Sequence, residues 1–207
     1  MKFTAKILIL AFIFLLPLSA LAQVDSLGKT DTLYADIAKL NETTWTVTLS
    51  FVNDEPLIGM ALPFRLTAGL NRIVVDSVVY GGVAVKHDKD SDILFTGGTS
   101  RGVDQFAYKN MRVDTAIQCV TLGLIANLGP TKNQLSAGSG PIATLFVSSL
   151  EDKPIEKLNI DTTTTHPNNS LMVIADQLQG TPPDTVRIEM SKATIIPAFV
   201  VREPKKK

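Results

Sequence analysis

Residues 44–51, TWTVTLSF, alternate without a break. Trp45, Val47, Leu49 and Phe51 fall on one side; Thr44, Thr46, Thr48 and Ser50 fall on the other. A period of two describes a β-strand with one face buried and one wet, whereas a helix repeats its apolar positions every three or four residues. NDEP then interrupts the run. Asn53 and Asp54 favour turns, and Pro56 has no N–H to give a ladder. Pro56 and Gly59 are read as the places where the chain turns or crosses between strands. The threonine–serine side is left as the surface open to a partner.

The same pattern continues in both directions. TLYADIAKL reads as one strand in an otherwise extended lead-in, and GMALPFRLTA resumes after the break. In that second strand Leu62, Phe64 and Leu66 share a face, and Pro63 suggests an edge position or a bulge. RIVVDSVVYGG, DILFTG, QFAYKNMRV, AIQCVTLGLIA, GPIATLFVSS, IEKLNID, SLMVIAD and TVRIEMSKATIIP follow. Turn-rich pieces such as GGTSRG, NLGPTKN, THPNN and GTPPD separate nearly all of them. No segment sustains a helical period with a cap at each end. About nine short antiparallel strands without intervening helices predict an all-β sandwich of jelly-roll type.

The start of the chain has a different character. Lys2 and Lys6 precede the apolar run ILILAFIFLLPLSA, and Ala20-Leu21-Ala22 places small residues where a signal peptidase reads them. Residues 1–22 are read as a signal peptide cleaved after Ala22; a retained membrane anchor is the alternative, but the run is short for a bilayer span. The expected organisation is 1–22 signal, 23–40 extended lead-in, 41–200 one sandwich domain and 201–207 a basic, disordered tail. The mature chain is then secreted or periplasmic, with no stable insertion in a membrane.

The net charge is zero over 207 residues, and removing the signal takes away two lysines and no acid. The body, residues 23–201, holds 14 basic and 19 acidic groups. That balance lacks the basic footprint of a nucleic-acid binder. A single cysteine, Cys119, forbids an internal disulfide and reads as a small buried hydrophobe.

The residues offer little to catalysis. His87 and His166 are the only histidines, and no G-x-S-x-G or H-E-x-x-H occurs. SAGSGP is rich in glycine, but its glycines precede a strand instead of opening a helix, so it is no phosphate cradle. The chain is therefore not expected to be an enzyme. The metal candidate is HDKDSD, which sets Asp88, Asp90 and Asp92 at alternate positions, as a Ca²⁺ loop does. The glycine and glutamate that complete an EF-hand loop are replaced by Ile93 and Thr99, and an acidic hairpin tip is the plainer reading. Trp45 alternates with the apolar set and is read as core, not as a sugar-stacking platform.

WTVTLSFVNDEPLIGMALPFRLTAGLNRIVVDSVVY resembles the opening of cohesin-like domains. A strand (Phe51 to Asn53) leads to a break, then Gly59, a Phe64-Arg65-Leu66 strand and a Val75 to Val79 strand. GSGPIATLFVSS and NNSLMVIADQLQGTPPDTVRIEMSKATIIP are similar to later strands of the same family, so the likeness spans most of 41–197. It implies a jelly-roll sandwich related to carbohydrate-binding modules. It also implies a binding module, since cohesins engage dockerins through one sheet face; no motif marks that face. The expected partner is a protein, with a polysaccharide as the alternative. No cofactor is expected beyond the candidate Ca²⁺.

Overall fold

The computed structural model describes residues 25, 27–80, 83–87, 93–96, 101–126, 133–163, 170–179 and 183–203. They form the expected all-β sandwich. The expected signal segment, 1–22, lies outside the described residues; among those described, no helix is long and apolar enough to cross a membrane.

The first strands are β1 (Thr32–Lys39), β2 (Thr44–Asn53), β3 (Leu57–Thr67) and β4 (Ile73–Tyr80). A hairpin of β5 (Val83–His87) and β6 (Ile93–Thr96) leads to β7 (Tyr108–Asp114) and β8 (Cys119–Ile125). Then come β9 (Gly138–Ser149), β10 (Asn159–Thr162), β11 (Met172–Ala175) and the short pair β12 (Leu178–Gln179) and β13 (Val186–Arg187). One helical turn, α1 (Met190–Ala193), precedes β14 (Thr194–Ile195) and β15 (Ala198–Arg202).

One sheet has the order β15-β1-β2-β9-β4, and the other β14-β11-β3-β8-β7 with β10 also on β3. The alternation read in β2 decides which side faces in. Trp45, Val47, Leu49 and Phe51 are buried against the second sheet's Leu62, Phe64, Val120, Leu122 and Leu124. Trp45 Nε1 donates to the Ile155 carbonyl at 3.2 Å, so its one polar atom is satisfied inside.

Several details differ from expectation. Not all strands are antiparallel: β15 runs parallel to β1, pairing Thr32 with Ala198 through Asp36 with Arg202. The lead-in therefore supplies an interior strand, and the sheet reaches Arg202, past the expected limits of 41 and 200. Pro63 is not on an edge. It lies in β3 between β8 on one side and, on the other, the gap where β11 (to Ala61) gives way to β10 (from Phe64). Its carbonyl accepts from Thr163 N–H on that gap side, so the missing donor faces the break in pairing. Gly59 is inside β3, not at a crossing; a Cβ there would meet Ile174 Cδ1 at 3.4 Å.

The glycines of SAGSGP belong to β9 itself. Gly138 and Gly140 have φ of 142° and 146°, and the Arg101 side chain lies within 3.2 Å of where a Gly140 Cβ would stand. TVRIEMSKATIIP does not form one strand; α1 interrupts it, with the Thr194 hydroxyl donating to the Met190 carbonyl at 2.9 Å.

Candidate functional site

Asp88, Asp90 and Asp92 lie outside the described residues, as does His166. The strands that flank the three acids, β5 and β6, pair as a hairpin. Cys119 is buried, its thiol donating to the Ile117 carbonyl at 3.4 Å.

A different set of acids is brought together at the end of the sandwich where β2 crosses to β3. Asp54 and Glu55 stand in that crossover, Asp31 immediately precedes β1, and Asp25 comes from the segment before it. One carboxylate oxygen from each of the four lies within 4.8 Å of all the others. Asp31 is 0% exposed and Glu55 5%. Both oxygens of Asp31, both of Glu55 and Oδ2 of Asp25 are buried with no hydrogen-bond partner.

The backbone around them is arranged to hold the acids in place. Leu27 N–H donates to Asp25 Oδ1 and Lys29 N–H to Asp54 Oδ2, both at 2.9 Å. Asn53 Nδ2 donates to the Glu55 carbonyl at 2.6 Å. Arg101 completes the frame: Nη1 donates to the Phe51 carbonyl at 2.7 Å, and Nη2 to Asn53 Oδ1 at 2.7 Å and to the Ser136 carbonyl. None of these three bonds goes to a carboxylate, although its charge lies close enough to favour ionised Asp31.

Burial pushes the Asp31 carboxyl up to about 7, with Asp25 adding repulsion. Burial likewise pushes Glu55 up to about 8, with Asp31 next in effect. When both are ionised neither can donate to the other, and the pair can close a hydrogen bond only by holding a proton. Asp54 is held below the usual carboxylate range, chiefly by the Lys29 N–H. Charged oxygens buried in this way need a proton or a cation to compensate them.

Sequence reasoning missed this cluster. Its visible signal is the adjacent pair Asp54-Glu55 at a strand break; the other two members come from 23 or more positions earlier, and only the fold joins them.

The two outer sheet faces differ. On the β2 side the hydroxyls are engaged: Thr48 and Thr144 hydrogen-bond at 3.3 Å, Thr46 reaches the Ala38 carbonyl at 3.5 Å, and Arg202 covers the Tyr34 ring at 4.4 Å. On the β3 side, register aligns Ile174, Gly59, Ile125 and Tyr108 across four strands. Met172, Ala61, Gly123 and Asn110 form the next row, and Pro63, Thr121 and Arg112 the one after. Tyr108 and Ile125 are each 49% exposed. Glycine in the middle strands keeps the face flat, and the Tyr108 ring lies 3.8 Å from where a Gly123 Cβ would be.

No family profile and no curated protein matches this chain. Solved structures do. A chain of the Coh-OlpC–Doc435 type I cohesin–dockerin complex from Clostridium thermocellum is 10% identical, with 86% of this chain and 96% of that one covered and a TM-score of 0.49. The likeness is to cohesins. The non-cellulosomal cohesin of Archaeoglobus fulgidus is 11% identical, covering 86% and 93%, with a TM-score of 0.44. The seventh ScaB type I cohesin of Pseudobacteroides cellulosolvens is 9% identical, covering 86% and 94%, with a TM-score of 0.47. The β-sandwich itself stands on the sheet pairing of this chain.

Proposed function

We propose that this chain is an exported, non-catalytic module that binds a protein partner through the outer face of the β11-β3-β8-β7 sheet. The observation that carries the reading is the Ile174–Gly59–Ile125–Tyr108 row. It sets two half-exposed large side chains next to each other on a flat sheet, with Asn110, Arg112, Arg65 and Asp114 as an exposed polar border. Export enters through residues 1–22, whose basic start, apolar core and Ala-Leu-Ala ending are those of a cleaved signal.

A polysaccharide is the weaker occupant. Sugar faces stack on exposed rings, and among the aromatic residues whose side chains are described Tyr108 alone is more than one-third exposed. A hydrolytic role for the Asp31–Glu55 pair is disfavoured by their burial, because a carboxylate that exchanges protons with a substrate must touch it. Neither acid lines the open depression bounded by Thr162, Ser170, Leu171, Pro197 and Phe199.

The test is capture from the organism's own secretome by wild type, Ile125→Glu and Thr48→Glu proteins, beside a glycan array. Expected is a protein retained by wild type and Thr48→Glu but lost with Ile125→Glu. Glycan binding with no protein retained, or capture lost only with Thr48→Glu, overturns the reading.

A further inference from the structure

We propose that Asp25, Asp31, Asp54 and Glu55 form a Ca²⁺ site that fastens the segment before β1 to the β2–β3 crossover. Acids often gather on surfaces without meaning, so burial is the observation that matters here. Asp31 is wholly buried and Glu55 nearly so; no oxygen of either has a hydrogen-bond partner, and one oxygen of each lies in the cluster. An uncompensated buried carboxylate is among the costliest groups a fold can hold.

The donor set selects the ion. It is all oxygen and carries four acids, with no imidazole or thiolate, which suits a hard divalent cation. Ligand number narrows it further. Ca²⁺ takes six to eight oxygens and accepts several carboxylates, whereas Mg²⁺ keeps several waters and is usually bound through one or two carboxylates. The four oxygens here fall within 4.8 Å of one another, close enough to meet on one ion. The bonds from Leu27 N–H and Lys29 N–H each take one oxygen of Asp25 and Asp54 and orient those carboxylates. Close approach is built into the backbone as well, since a Cβ on Gly28 would stand 2.2 Å from Asp54 Oδ2.

This site is separate from the Asp88, Asp90, Asp92 loop and from the β3-side face, so its test does not depend on either. Calorimetric titration of the purified protein with calcium chloride is expected to show one ion per chain. Thermal unfolding is expected to move up in millimolar calcium and down in chelator, as mass action requires for a ligand of the folded state. Asp31→Asn and Glu55→Gln each remove one charge while keeping shape; each is expected to weaken Ca²⁺ at least about tenfold. The triple variant Asp88→Asn/Asp90→Asn/Asp92→Asn is expected to bind as wild type does. Absence of Ca²⁺ binding in wild type, binding lost in the triple variant but kept in Asp31→Asn, or an equal response to Mg²⁺ each overturns the proposal. If Asp31→Asn does not fold, Glu55→Gln and the wild-type titration still decide it.

Discussion

At the scale of single residues, Asp31 is the least conventional choice in the chain: a carboxyl with no exposed surface, next to Glu55 and Asp25. In chelator these acids have only protons and the Arg101 charge to offset them. An unfolded carboxyl titrates near pH 4, whereas Asp31 and Glu55 when folded titrate at about 7 and about 8. Folding therefore takes up protons across that interval. The stabilisation is complete below the unfolded value and is lost as pH rises through 7 and 8. Metal-free wild type is expected to lose stability between pH 5.5 and 8.5 relative to metal-free Asp31→Asn. Urea unfolding of both proteins checks this, and a difference that does not change with pH contradicts it.

At the scale of elements, β8 shows how neighbouring residues divide their labour. Leu122 is fully buried and faces Leu62 across the β3 pairing, while Ile125 is half exposed at the strand's end. Leu122→Ala is expected to cost about 2–5 kcal/mol, because the vacated volume cannot fully close. Ile125→Glu is expected to stay within about 0.5 kcal/mol, as surface changes do. Denaturant midpoints of the two variants separate core from face. Elements of this kind are also what the sequence makes legible. β2 could be read because each second side chain is buried, and β1, β4, β8 and β11 because their apolar runs are bounded by turns. Pro63 and Gly59 were misread because what excuses them, a gap between β10 and β11 and the Ile174 side chain, comes from 100 or more residues away. The acid cluster failed for the same reason: local pattern reports the period of one strand, not which loops meet at its end.

At the scale of the whole molecule, the chain closes on itself late. β15, close to the C-terminus, covers the edge of β1, and Phe199 packs on Phe64 with ring centres 5.6 Å apart. Arg202 pairs with Asp36 and covers Tyr34. The Ala198 N–H also bonds the carbonyl of Asp31 at 2.8 Å, so this last strand buttresses the residue at the centre of the acid cluster. Ending the chain after Pro197 is expected to cost at least about 3 kcal/mol, the scale of removing a packed phenylalanine. It is also expected to leave β1 as an open edge prone to self-association. Thermal unfolding and light scattering of the truncated protein measure both effects.

The parallel register of β1 and β15 has a mechanical meaning. The beginning of β1 and the end of β15 lie at opposite ends of the paired stretch. Tension drawn between those two points slides one strand along the other, so the evenly spaced, slanted bonds of all five pairings bear the load together. An antiparallel pair pulled from adjacent ends would instead open one bond at a time, like a zip. The domain is thus built to resist shear along the line joining its two ends.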